Sequence, residues 1–358
     1  MLSILIPYRN RNISHILNCL NSLQKQSVNN FQVHFIDYGS IQEMATEARE
    51  ICSRYSFVVY NYHPVEYQPW NKSRALNSVI KDLKTEYCFV ADVDMIFHHQ
   101  FVEKALKLSQ TGKCIYFQVG FLEAGELISN QPFDESYIYR KSTDEATGLS
   151  MFPVRILREL RGFDEFYHFW GAEDTDIHVR IKNAGYGVEF YDKEVLMLHQ
   201  WHPTYRLKES SRLTSDIQIS GIVQVNHQYL KTAYNQKRTR VNSISWGKIV
   251  SEVEINTLLN ADFSRELTNK KSEIDSFIYA ELPQLSGMIL KLKIKESEIT
   301  KELKYHAKKL LKKKVDRYYS LKEVNDKLLI QTISFYRDKS YYFKVNEEQN
   351  EIEFAIIL

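Results

Sequence analysis

Over its first two hundred residues the chain alternates short apolar runs with stretches whose apolar residues recur every three or four positions. LSILIP, FQVHFIDYG and FVVYNY read as strands, and the segments around ISHILNCLNSLQKQ and MATEAREICSRY read as helices. That β–α–β–α–β rhythm implies right-handed crossovers and a mainly parallel, doubly wound sheet. Ligands of such sheets bind at the carboxyl ends of the strands, where Pro7, Asp37 and Asp92 fall. A helix around ALNSVIKDL, the strand YCFVADVD and a strand candidate IYFQVGFLE continue the pattern. After His202–Pro203 the texture changes: of 7 prolines only Pro283 remains, and Lys, Glu, Leu and Ile dominate in stretches compatible with helix. From Lys291 to Lys314, lysines far outnumber glutamates, with Ile299, Leu303 and Leu310 at helical spacings. The expectation is a catalytic domain over residues 1–205 and a smaller, mostly helical domain over 206–358. EIEFAIIL reads as a terminal strand or a docking segment.

Charge narrows the choice of partners. With 47 basic and 45 acidic residues the net charge is +2, so no global field draws in nucleic acid and any basic patch is local. No nucleic-acid partner is expected, because no aromatic-glycine RNA-recognition motif accompanies the lysines. The lysine-rich segment has two further readings, a solvated face or contact with an anionic membrane beside a lipid-linked acceptor. Cys19, Cys52, Cys88 and Cys114 form no CxxC pair and read as reduced and buried. The apolar stretch in MLSILIPYRNRN is short for a signal peptide, and no later run approaches the ~18 apolar residues of a spanning helix. The expected location is therefore the cytoplasm, with peripheral contact at the inner face of the plasma membrane, and oligomerisation is open to the C-terminal domain.

The chemistry begins at FVADVDMIF, where Asp92 and Asp94 lie two residues apart. Strand alternation puts both on one face, and a divalent metal is the simplest positive partner for them. Arg9 and Arg11 follow the first strand, where guanidiniums pair with phosphate or frame a planar base. Lys72 and Arg74 in WNKSRALN stand at a helix start, a second place to hold an anion, although Arg74 also suits a carboxylate partner inside the fold. GFDEFYHFWGAEDTDIHVRIKNAGY sets Trp170, an aromatic surface for a sugar ring, beside Glu173 and Asp174 at the start of a helix closed by Gly185. VLMLHQWHP offers Met197, His199 and His202, and a histidine suits the second ligand of a metal held by Asp94.

In this order the stretches resemble the nucleotide-sugar glycosyltransferases of the GT-A fold, over roughly residues 1–205. The first strand and DxD are similar to family 2 enzymes. IPYRNR, WNKSRALN, FVADVDMIF and FWGAEDTD are closer to the β-1,4-galactosyltransferases, whose motif is written WGGEDDD, as in a bacterial-style relative lying between the two. The resemblance implies that Pro7, Arg9, Arg11 and Asp37 hold the uridine end and that Lys72 contacts the diphosphate. Asp92, with Val93 beside it, would serve the ribose or metal, while Asp94 and His199 would ligate Mn²⁺ or Mg²⁺. Trp170 and Glu173 would bind sugar and acceptor, and Asp174 would be the catalytic base. Ala172 stands where the family has its second glycine, Thr175 where it has a third aspartate, and Met197–His199 replaces a wider Met–His spacing.

With one base and no second carboxylate needed as a nucleophile, inversion of configuration is expected. The implied activity is transfer of a hexose or N-acetylhexosamine from a UDP-sugar to a glycan hydroxyl in surface polysaccharide synthesis. The alternative is a non-catalytic glycan-binding or scaffold protein of the same fold. A sugar nucleotidyltransferase is disfavoured, since IPYRNRN lacks the glycines of a phosphate loop.

Overall fold

Leu2–Tyr8 is buried along its whole length and forms β1, the continuous apolar run of a strand covered on both faces. In the computed structural model, which describes residues 1–109, 111–123, 133–203, 210 and 212–358, the predicted alternation follows it. After β1 come α1 (Ile13–Gln24), β2 (Phe31–Tyr38), α2 (Gln42–Cys52), β3 (Val58–His63), α3 (Lys72–Ile80) and β4 (Tyr87–Val90). Then come β5 (Met95–Phe97), α4 (Phe101–Ser109), β6 (Cys114–Phe117), β7 (Gly120–Phe121), β8 (Arg140–Lys141), β9 (Ser150–Pro153) and α5 (Val154–Glu159). α6 (Glu173–Asn183), β10 (Val188–Tyr191), β11 (Met197–His199) and α7 (Ile222–Asn235) complete this part.

The main sheet has the order β10-β6-β9-β4-β1-β2-β3. β1 pairs in parallel with β2 and β4, and β9 runs antiparallel to β4 and β6. The strand order turns back at β1, so the carboxyl ends of β1, β2 and β4 open on one crevice. A second sheet, β5-β11-β7-β8, carries β11 beside the turn that follows β4. The core below the main sheet joins Ile16, Cys19 and Leu20 of α1 to Ile51 of α2 and Phe101 of α4, with Phe89, Phe97 and Phe117 between them. All four cysteines are buried and unbridged. IYFQVGFLE divides into β6 and β7 in different sheets, because the Gln118 amide bonds the Tyr191 carbonyl and the Val119 amide bonds Ser142 Oγ.

The chain forms two units, one of residues 1–66, 70–205 and 223–249, the other of 67–69, 206–222 and 250–358. The expected boundary between residues 205 and 206 lies outside the described residues, and residues 223–249 return to the first unit. The second unit holds α8 (Glu252–Asn260), β12 (Arg265–Thr268), α9 (Lys271–Ser276), β13 (Ile289–Lys295), α10 (Leu303–Leu310), α11 (Leu321–Gln331), β14 (Tyr341–Asn346) and β15 (Glu351–Ile357). Its helices accompany a four-stranded sheet, β12-β13-β15-β14. The helical reading of residues 291–314 holds at α10 and fails at β13. In ILKLKIK the period is two: Leu290, Leu292 and Ile294 are buried, while Lys293 and Lys295 reach Glu351 and Glu266 at 3.1 and 2.8 Å. EIEFAIIL is the strand β15. Among the described residues no helix is long and apolar enough to cross a membrane.

Candidate active site

Two helix N-termini, those of α3 and α6, bring a lysine and two carboxylates to the crevice. Asn71 caps α3 by accepting the Arg74 amide at 2.8 Å, which fixes Lys72 as the first helical residue. Lys72 Nζ lies 3.1 Å from Asp92 Oδ1, 3.4 Å from Asp174 Oδ2 and 3.8 Å from Glu173 Oε1. Behind it Arg74 Nε donates to the buried Glu165 at 3.0 Å, and Asn77 donates to the same carboxylate at 2.9 Å. Arg74 thus takes the internal role, and Lys72 faces the crevice.

Asp92 and Asp94 do not continue the β4 strand. The Met95 amide bonds the Asp92 carbonyl, closing a turn, and the two carboxylates find separate cationic partners rather than sharing one. Asp92 joins the Lys72 group. Asp94 Oδ2 lies 3.0 Å from His202 Nε2, and Asp94 Oδ1 lies 3.8 Å from His199 Nε2. Burial favours the neutral Asp94 carboxyl, but the His202 hydrogen bond and the charges of His199, His202 and Arg11 outweigh it and hold the group below its usual range.

Around Lys72 three carboxylates share one ammonium. Burial works against the charged lysine, yet Asp174, Asp92 and Glu173 more than compensate and keep it protonated. Burial also pushes the Asp174 carboxyl up to about 8; Lys72 pulls against that rise, while Glu173 and Asp92 add to it. Asp174 is therefore a stronger proton acceptor than an ordinary aspartate. Gly148 stands so close that a Cβ there would meet Asp174 Oδ2 at 3.2 Å. Two residues along α6, Asp176 turns inward to Arg180 at 2.6 Å, both fully buried, so the EDTD run splits between site and core.

The start of α6 is set by unusual backbone. Phe169, Gly171 and Ala172 have φ of 63°, 101° and 77°, and Ala172 is the N-cap residue with no side-chain cap. Asn226 of α7 donates to the His168 and Trp170 carbonyls at 3.0 and 3.1 Å, and Asn242 donates to the Arg161 and Phe163 carbonyls at 2.8 and 2.6 Å. An alanine in the left-handed region costs about 1–2 kcal/mol, and glycine returns part of that to unfolded-chain entropy. Ala172→Gly is expected to raise stability by a net ~0.5–1 kcal/mol, read as a higher urea midpoint at unchanged slope. An unchanged or lower midpoint would show that the backbone there carries no strain.

The remaining expected residues are placed unequally. Trp170 is 45% exposed, as a stacking surface requires. Arg9 Nη2 donates to the Glu66 carbonyl, and the Arg11 carbonyl accepts the Tyr8 hydroxyl at 2.9 Å. Pro7 is buried within β1. Asp37 is fully buried, its oxygens accepting the Tyr60 hydroxyl at 2.7 Å and the Ser40 amide at 2.9 Å, so it orders the loop after β2. Val93 packs into the core, leaving only its backbone for a ligand. Met197 is likewise core, not a thioether facing the crevice.

The sequence left open whether Met197 or His202 contacts the metal, and His202 stands closer to Asp94 than His199 does. One ligand atom each from Asp94, His199 and His202 lies within 4.8 Å of the others. Asp94 Oδ1 is buried with no hydrogen-bond partner, the state of an oxygen that a cation would satisfy. One carboxylate and two imidazoles fit a divalent transition metal, and the second imidazole favours Mn²⁺ over Mg²⁺. The spacing His199–His202 after a strand was the available signal. Sequence reasoning also missed a cavity of about 370 Å³ beside α6, whose lining includes Tyr116, Thr147, Thr175, His178, Asn183 and Tyr234.

Residues 3–159 match the model described as Glycosyl transferase family 2, and residues 130–203 match the model described as N-terminal domain of galactosyltransferase. Human chondroitin sulfate synthase 3 is 27% identical over 121 residues, and the mouse protein is 26% identical over 121 residues. Each match covers 32% of this chain and 14% of the relative. Similar solved structures include S. aureus TarS, at 14% identity and a TM-score of 0.43, covering 66% of this chain and 41% of that one. GalNAc-T7 with UDP, GalNAc and Mn²⁺ aligns at 14% identity and a TM-score of 0.48, covering 65% of this chain and 47% of that one.

Proposed function

We propose that residues 3–203, a GT-A, family 2-like glycosyltransferase domain, form a metal-dependent inverting enzyme that uses a UDP-sugar. It transfers a hexose or N-acetylhexosamine to a glycan hydroxyl, in the building of a surface polysaccharide. The observation that carries this reading is the convergence on one crevice of a raised carboxylate, a buried lysine and a carboxylate–imidazole triad.

In this reading one acceptor hydroxyl lies at Asp174. Asp174 Oδ2 takes the hydroxyl proton as the acceptor oxygen bonds to the anomeric carbon. The bond from that carbon to the diphosphate breaks on the opposite face, inverting the configuration, and UDP leaves with the electron pair. Lys72 and the N-terminus of α3 supply positive charge for the diphosphate, Trp170 covers the sugar, and Arg9 and Arg11 hold the uridine end. Asp94, His199 and His202 would hold the divalent ion, which supplies further positive charge to the leaving group.

The test is a panel of UDP- and GDP-sugars incubated with purified protein and mixed glycan acceptors, in Mn²⁺ or in EDTA, reading released nucleoside diphosphate. Release from one UDP-sugar, abolished by EDTA, is expected. Release in EDTA at the same rate would remove the metal from the mechanism. No release from any donor, with UDP binding still measured by calorimetry, would favour the glycan-binding protein.

A further inference from the structure

We propose that α10 and the lysines that follow it form a docking element for an anionic lipid surface, independently of the transfer reaction. The apolar residues Leu303, Ala307, Leu310 and Leu311 recur at i, i+4, i+7 and i+8, which sets them on one face of the helix. That face points to solvent: Leu303, Leu310 and Leu311 are 88%, 87% and 66% exposed, and α10 has no buried residue. Tyr305, on the opposite side, ties the helix to its own unit. Its hydroxyl donates to the Asp316 carbonyl at 3.2 Å, and its ring meets Tyr318 edge-on at 5.6 Å. The leucines are thus turned away from the only side on which the helix is anchored among the described residues, and no core claims them.

The charge of the segment chooses the occupant. Lys291, Lys293 and Lys295 of β13 are engaged by the Leu259 carbonyl, Glu351 and Glu266. Lys304, Lys308 and Lys309 within α10, and Lys312, Lys313 and Lys314 just beyond it, make no ion pair among the described residues. A phosphate backbone would use the lysines and leave the leucines in water. A bilayer with anionic headgroups uses both, the leucines entering the boundary between headgroups and acyl chains while the ammonium groups stay among the phosphates.

The experiment uses the full chain and vesicles of phosphatidylcholine, alone or with about one third phosphatidylglycerol. Co-sedimentation with the anionic vesicles, weakened by salt and absent with the neutral ones, is expected. The triple variant L303S/L310S/L311S, which keeps every charge, should lose at least ~10-fold in partitioning. The variant K308Q/K309Q/K312Q/K313Q should lose a similar factor. Both change exposed side chains, so an unmoved thermal transition checks that they fold. No sedimentation of the parent chain would overturn the proposal, as would equal binding to both vesicle types. So would an unchanged serine variant whose lysine counterpart is lost and whose parent is displaced by poly(U) RNA, since that pattern marks a general polyanion site.

Discussion

Asp174→Asn should lower sugar transfer by at least ~10²-fold and leave UDP and Mn²⁺ binding unchanged. Asparagine keeps the shape of the side chain and removes the proton acceptor. Lys72 would remain paired to Asp92 at 3.1 Å and to Glu173 at 3.8 Å, so the crevice should hold its form. The pH profile gives a separate handle. Burial raises the Asp174 carboxyl, and the base acts deprotonated, so kcat/KM should climb as pH rises through a limb displaced above the ordinary aspartate range. Lys72 opposes that rise, and Lys72→Met should therefore move the limb further towards alkaline pH while weakening donor binding. Full activity in the asparagine variant, with the acid limb unmoved, would assign the base elsewhere.

The second large effect concerns His202. His202→Ala and His199→Ala should each weaken Mn²⁺ binding at least as much as loss of an outer-shell partner, ~10–100-fold. Titration of the donor-free protein followed by Mn²⁺ electron paramagnetic resonance reads this without any turnover. Met197→Leu should leave the affinity as it is, because Met197 is fully buried in the core. An unchanged Mn²⁺ affinity in His202→Ala would reduce that residue to a hydrogen-bond partner of Asp94.

Much of the first unit was legible because its signals are local. The apolar run of β1, the cap at Asn71 and the acidic first turn of α6 each lie within a few residues, and they correctly brought Lys72, Asp92, Glu173 and Asp174 to one crevice. What was not legible has one cause, that partners distant in sequence decide orientation. Asp37 is claimed by Tyr60, 23 residues on, and nothing in FQVHFIDYG announces that. Val93 lies between Asp92 and Asp94 yet turns into the core, because the chain bends after β4. At β13 the alternation of Leu290, Leu292 and Ile294, and not the excess of lysine, carries the structural information. His202 gains meaning only through its position beside Asp94, more than one hundred residues earlier.

The return of residues 223–249 to the first unit sets a timetable for synthesis. Domains tend to fold as units while the chain leaves the ribosome. By the time His202 has been translated every candidate catalytic side chain exists, but the loop that aims Asp174 is still without the amides of Asn226 and Asn242 that hold its carbonyls. A nascent chain arrested just past Pro203 would therefore carry the full set of reactive groups and no fixed α6 start. The loop before α6 gains its last such amides only when Asn242 emerges, after translation has moved into what the sequence reads as the next domain.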